Sequence, residues 1–301
     1  MSRYVYRSLR ERAAGLVLML GIAVSSALVL WPKTVESYAR LSQAGRISGY
    51  QEEIGRVSSG SLDEMRQAAV RYNETVRIKQ QKDGFHYAGA GATDPEYEKA
   101  LRTEDGIMGC LEVPAADIFL PVGHGTSEEV LSVMAGHLYG TSLPVGGPGS
   151  HAVIAGHTGM PSADLFSGLA RMEKEDLFIL HVAGKNLCYR VSRILTVLPE
   201  EADRYLGISG DGDLVTLYTC TPYGINDHRL LVTGERDPGA ERATDTADDG
   251  EAVLAERRRS VRAGLFCTAA VPVLFAGAGA AEFMRGRRRE GDGRAGMCGG
   301  S

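Results

Sequence analysis

Cys220 closes an apolar, β-branched run, and the turn-rich stretch after it leads into a second strand-like run that opens with Arg229. The whole segment, Thr216 to Arg236, reads TLYTCTPYGINDHRLLVTGER. Thiol chemistry needs a thiolate, a proton donor for the leaving group and a stabiliser for the oxyanion. Cys220 could supply the first. Arg229, nine residues on and across a turn, carries a permanent charge and a planar fork of donors that suits a developing oxyanion or a substrate carbonyl. On type alone, Cys220 also reads as a small buried residue and Arg229 as an ordinary hairpin cation.

Seven histidines compete for the acid/base role. His157 ends the run HAVIAGH beside glycine, where a strand gives way to a loop, the usual place for a barrel to expose a reactive group. His124, His137, His151, His181 and His228 each admit a surface or structural reading, and His86 lies in an N-terminal loop.

The elements around these residues begin at a membrane. Ala13 to Trp31 is an uncharged run of 19 residues, which as a helix reaches about 28 Å, close to a hydrocarbon core. Arg3, Arg7, Arg10 and Arg12 precede it and place the N-terminus in the cytoplasm. Ser25 to Ala27 would suit a signal peptidase, but the run is long for a signal sequence and reads as an uncleaved anchor. A second uncharged run, Ala263 to Ala281, is flanked by arginines on both sides. Two spans put both termini in the cytoplasm and residues 32–262 outside; a buried soluble helix is the other reading of the second run. The net charge of −5 gives no reason to expect nucleic acid as a partner.

Five cysteines are present, but Cys267 falls in the second run and Cys298 in the tail. Outside the membrane an odd number remains, so at least one thiol is unpaired. Cys220 is taken as that thiol; whether Cys110 pairs with Cys188 stays open.

From Thr34 to Lys82 the composition is helical, with Ile47, Tyr50, Ile54 and Val57 at helical spacing. SSGSLDEM, Ser58 to Met65, reads as a break and a new start, with Ser61 capping and Glu64 three residues on. Lys82 to Asp94 is a glycine-rich loop. From Gly106 short apolar runs bounded by Gly and Pro follow one another, as in a closed, mostly antiparallel β-domain. Arg236 to Glu256 is an acidic, solvated linker. The chain thus divides into a basic N-terminus (1–12), a membrane helix (13–31), a helical lead-in (32–99), a barrel (100–236), a linker (237–262), a second membrane helix (263–284) and a basic tail (285–301).

TLYTC followed by TPYGINDHRLLVTGER resembles the Thr-Leu-x-Thr-Cys segment and downstream arginine of the sortases, close in detail to the pilin-polymerising class C. Leu120 to Phe166 resembles that family's segment leading into and past its catalytic histidine, and GIMGCLEVP, Gly106 to Pro114, its first barrel strand. The likeness covers about residues 100 to 236, and the helical lead-in and paired anchors fit the same class. It implies an eight-stranded β-barrel with His157, Cys220 and Arg229 as the catalytic residues, needing no metal or organic cofactor. The implied reaction cleaves a Leu-Pro-x-Thr-Gly-type motif between Thr and Gly and joins the Thr to a pilin lysine. The implied partners are motif-bearing pilins or surface proteins, a second pilin and the membrane.

The class also implies a lid carrying an Asp-Pro-aromatic motif. Asp83-Gly84-Phe85 offers the Asp and the aromatic, so that Asp83 would pair with Arg229 while Phe85 covers Cys220; Gly in place of Pro should loosen it. Asp94-Pro95-Glu96 is the other candidate and lacks the aromatic. Three other readings stand beside the pilus enzyme. One is a housekeeping sortase that hands its acyl group to a cell-wall precursor, and another is a thiol protease. The third is a non-catalytic pilin-binding scaffold, against which the joint presence of His157, Cys220 and Arg229 argues.

Overall fold

The computed structural model describes residues 2–87, 94–159 and 165–241. The first helix, α1, runs from Ser2 to Arg56. Within it Ala14–Pro32, 19 residues of mean hydropathy 2.2 with none of that surface buried, is long and apolar enough to cross a membrane. The second expected span, the tail and most of the linker lie outside the described residues.

Helix α2, Ser59–Asp83, follows after a short break. Its cap is Ser58, one turn earlier than the sequence suggested. Ser58 Oγ accepts from the Ser61 backbone N–H at 3.2 Å, which satisfies one of the donors every helix start leaves orphaned. Ser61 therefore sits inside the first turn, because Gly60 there is tolerated by the helix.

Both helices pack on the barrel, α1 by residues its periodicity marked and α2 by two amide side chains that periodicity did not mark. From α1, Ile47 and Tyr50 are buried and Ile54 half-buried against Ile107, Cys110 and Phe119. From α2, the buried Asn73 gives its Nδ2–H to the Leu143 carbonyl at 3.0 Å and accepts from the Leu143 N–H at 2.7 Å. Further along, Gln80 donates to the Gly140 carbonyl and accepts from the Ile208 N–H, both at 2.8 Å. These amide clamps satisfy backbone groups of loops that have no strand partner.

The barrel has eight strands: β1 Ile107–Val113, β2 Ile118–His124, β3 Ala135–His137, β4 Ser150–Ala155, β5 Leu177–Val182, β6 Lys185–Val197, β7 Asp213–Thr221 and β8 His228–Arg236. They close in the order β1-β2-β3-β4-β7-β8-β6-β5. Pairing is antiparallel except for β2 with β3 and β4 with β7. The closed, mostly antiparallel domain expected from the sequence is therefore present. The strand that pattern alone did not mark is β3, whose three residues are too few to show alternation.

Period-two alternation sorts the side chains. On β7, Val215 and Leu217 join the main core with Ile154, Leu230 and Val232. The alternate residue Tyr218 faces a second cluster with Val153, Leu231, Leu138, Leu206 and Phe85. Cys220, two residues on, shares the face of Tyr218.

The β1–β5–β6 arrangement answers the cysteine question. Cys110 stands opposite His181 of β5, and Cys188 opposite Ile179 of the same strand. A whole strand lies between them, so their Cα atoms are roughly 9–10 Å apart or more, beyond disulfide reach. Burial pushes the Cys110 thiol far above its ordinary range, so it stays a protonated core residue.

The start of the expected linker is docked instead of loose. Asp237 accepts from Arg190 Nε and Nη2 at 2.9 and 2.6 Å, and Glu241 pairs with Arg236 and accepts from the Cys188 N–H.

Candidate active site

The strand order sets β7 between β4 and β8, and register does the rest. Cys220 stands directly opposite Arg229 in the antiparallel β7–β8 ladder. In the parallel β4–β7 ladder Ala155 is opposite Tyr218; the same offset, two residues further, brings His157 level with Cys220. The pairing does continue past the last strand residue. The Gly156 N–H donates to the Tyr218 carbonyl at 3.1 Å, and Thr219 Oγ1 donates to the Gly156 carbonyl at 2.6 Å. Thiol, imidazole and guanidinium are thus in line on three adjacent strand ends, with the thiol in the middle and half-exposed.

Each neighbour of Cys220 is held by its own contacts. Gly156 packs flat on Phe166, where an added Cβ would meet the ring at 2.9 Å, and the Phe166 N–H donates to the His157 carbonyl at 3.0 Å. His157 Nε2 is buried and makes no hydrogen bond among the described residues. It faces Glu128 Oε2 at 3.4 Å.

Arg229 donates from Nε to Tyr218 Oη at 3.1 Å, and from Nη1 to the carbonyls of Asn226 at 3.1 Å and His228 at 3.0 Å. Burial raises the Tyr218 hydroxyl above the ordinary phenol range, so it meets the guanidinium as a neutral acceptor. Two exposed apolar side chains, Tyr223 and Ile225, crown the β7–β8 turn. Tyr223 lies over Gly159, where a Cβ would approach its ring to 3.2 Å, so the loops after β4 and β7 meet beside the thiol.

The lid expectation needs correcting in one part. Asp83 ends α2 exposed and makes no ion pair among the described residues; Nε and Nη1 of Arg229 donate to Tyr218, Asn226 and His228 instead. Phe85 is half-buried in the Tyr218 cluster, with its ring 3.8 Å from the Cβ position of Gly140 and its own Cβ 2.9 Å from that of Gly207. The chain then crosses the barrel surface: the Tyr87 N–H reaches Asp203, and Tyr87 Oη meets Thr126 Oγ1 at 2.8 Å. Asp94 has a structural place. It caps helix α3, Pro95–Lys99, through the N–H groups of Glu96 and Tyr97, and accepts from the hydroxyls of Tyr72 and Tyr139.

Five of the other six histidines have structural partners, and His86 lies exposed in the loop after α2. His137 and His151 are locked by hydrogen bonds to Tyr97, Ser142, Gly207 and Thr216, and His181 by Glu112 and Asn186. His124 reaches the Ala100 carbonyl, and His228 pairs with Asp227 at the turn.

Sequence reasoning did not single out Tyr218 and Glu128. Tyr218 lies within the TLYTC motif, two residues before the thiol, and its same-face spacing was the available signal. Glu128 lies far from His157 in the chain, with no spacing that would link them.

A closed barrel that presents a half-exposed thiol between an imidazole and a guanidinium has the parts for thiol-based acyl transfer. Known proteins agree. A sortase-domain family model matches residues 111–237. The chain is similar to sortase C of Streptococcus pneumoniae, studied for catalysis and pilin substrate specificity: 39% identity, 64% of this chain and 97% of that one, TM-score 0.56. With sortase C-1 of Actinomyces oris the figures are 40%, 59%, 99% and 0.54; with sortase C1 of Streptococcus agalactiae they are 37%, 64%, 98% and 0.58. A curated relative, sortase SrtE1 of Streptomyces coelicolor, is 27% identical over 137 residues, 42% of this chain and 39% of the relative. The chain spans well under half the length of that relative, and nearly all of the three class C structures. The chain belongs to the sortase family, a family of cysteine transpeptidases.

Proposed function

We propose that this chain is a membrane-anchored transpeptidase that cleaves a Leu-Pro-x-Thr-Gly-type sorting motif between Thr and Gly and joins the Thr to a pilin lysine. The observation that carries the reading is the register that sets Cys220 between His157 and Arg229. Cys220 Sγ attacks the threonine carbonyl. With Nε and Nη1 of Arg229 on protein oxygens, Nη2 is the edge that meets the tetrahedral oxygen, pre-aimed where charge develops. His157 gives a proton to the departing glycine amine as the C–N bond breaks, leaving a thioacyl enzyme. A lysine amine then attacks the thioester, its proton passes to His157, and Cys220 leaves as thiolate. The apolar stretch Ala14–Pro32 is the anchor, with the barrel on the outer face of the membrane and a second span after it.

Pilin joining is favoured over wall attachment by the likeness to class C enzymes, among them sortase C1 of a streptococcal pilus island and the pneumococcal enzyme whose pilin specificity was studied. The test loads the full-length chain in detergent with a sorting peptide and offers two amines in competition: a folded pilin domain bearing its lysine, and a wall stem-peptide amine. Product on the pilin lysine is expected. Product only on the wall amine would establish the housekeeping alternative.

A further inference from the structure

The two nitrogens of the His157 ring do different jobs. Nε2 is buried, without a hydrogen-bond partner among the described residues, and the charged group it faces is the Glu128 carboxylate at 3.4 Å. The local sequence aims that carboxylate. Glu128 is the first residue of helix α4, Glu128–Leu131, which Ser127 caps through the Val130 N–H. The next acid, Glu129, is drawn back onto the cap by Ser127 Oγ at 3.1 Å, so only Glu128 points toward the ring. A buried ring N–H without an acceptor is unfavourable. Glu128 is 74% exposed and keeps the rotamer freedom to close the remaining distance.

We propose that Glu128 is a positioning residue: it accepts the Nε2–H of His157 and thereby assigns proton transfer to Nδ1. The partner of one imidazole nitrogen fixes the tautomer and so decides which nitrogen does the chemistry. In acylation the Nδ1 proton goes to the departing amine as its C–N bond breaks, and the ring is left neutral with Nε2–H on Glu128. In deacylation the incoming amine loses its proton to Nδ1 as the C–S bond breaks, and the imidazolium returns beside the regenerated thiolate. The proposal rests on His157 being the acid/base group of the reaction proposed above.

The test uses the full-length chain in detergent micelles, labelled with 15N-histidine, the His157 resonances being assigned by their loss in His157→Gln. At alkaline pH, with the ring neutral, the wild type should show the Nε2–H tautomer, and Glu128→Ala should shift the population toward Nδ1–H. In turnover with a sorting peptide and an amine, Glu128→Ala should lower kcat about ten- to a hundredfold with KM within about twofold, the size typical for loss of an orienting partner. Glu128→Gln, which keeps an acceptor oxygen, should retain most of the rate. An Nδ1–H tautomer in the wild type would overturn the proposal, as would unchanged tautomers in Glu128→Ala or a Gln variant as impaired as the Ala one. The NMR result stands apart from activity. Absence of any thioacyl adduct in the wild type would sink the transpeptidase reading, while the tautomer would still decide what Glu128 does.

Discussion

Arg229 reaches the site with one edge of its guanidinium fixed by Tyr218, and the arrangement has measurable consequences. Tyr218→Phe removes that acceptor without changing the ring, and should slow acylation about five- to tenfold, as expected for one hydrogen bond of about 1 kcal/mol. Arg229→Lys replaces the planar fork with a point charge and should cost about a hundredfold or more in acylation rate, the order seen when an oxyanion donor is lost. Stopped-flow thioacylation with both variants separates the effects. At this scale the sequence offered Cys220 and Arg229 by type and by their places at two strand ends, and the family resemblance selected His157 among seven histidines. It did not show Tyr218 or Glu128 as parts of the site, because their partners lie across strands or loops. It placed Asp83 on Arg229 where the β7–β8 turn carbonyls stand instead: those are backbone groups, and no residue type announces them.

Among the elements, the helix starts and amide clamps are the sensitive points. Ser58→Ala removes the cap of α2 and should lower stability by about 1 kcal/mol, whereas Ser61→Ala should change little; thermal melting of both variants checks this. The sequence offered two serines three apart, and only the fold shows which begins the helix. Asn73→Leu is more severe. It strips the buried Leu143 N–H of its acceptor, while the Leu143 carbonyl keeps the Val145 N–H, and should cost about 1–3 kcal/mol for the group left unsatisfied. The long strands were legible because each is an apolar run bounded by Gly, Pro or polar residues. β3 was not, since its three residues are specified by parallel pairing with β2 and by the buried hydrogen bonds of His137.

For the molecule as a whole, those buried histidines couple stability to pH. Burial lowers His137 to about 4, and lowers His124 and His151 as well. With the folded value depressed below the ordinary value near 6.5, the unfolded chain binds protons first. Stability is therefore full above about pH 6.5 and falls on acidification toward pH 4, by up to about 1.4 kcal/mol per pH unit for each such histidine. Asp94, Asp227 and Asp237 are held below the ordinary carboxylate value and stay ionised between about pH 6.5 and 5, whereas Asp213, raised by burial, works in the opposite sense to the histidines; chemical denaturation across that window should show the net loss. A flat profile would mean that His137 takes up its proton in the folded barrel.

The claim on which the account turns is that Cys220 carries the acyl group. Full-length protein in detergent, mixed with a Leu-Pro-x-Thr-Gly peptide and analysed by intact-protein mass spectrometry, should gain the mass of the peptide through its threonine, and Cys220→Ala should gain nothing. Phe85→Ala serves as a second background, in case the segment around Phe85 covers the site. An adduct that survives Cys220→Ala, or none in either the wild type or Phe85→Ala, would contradict the account.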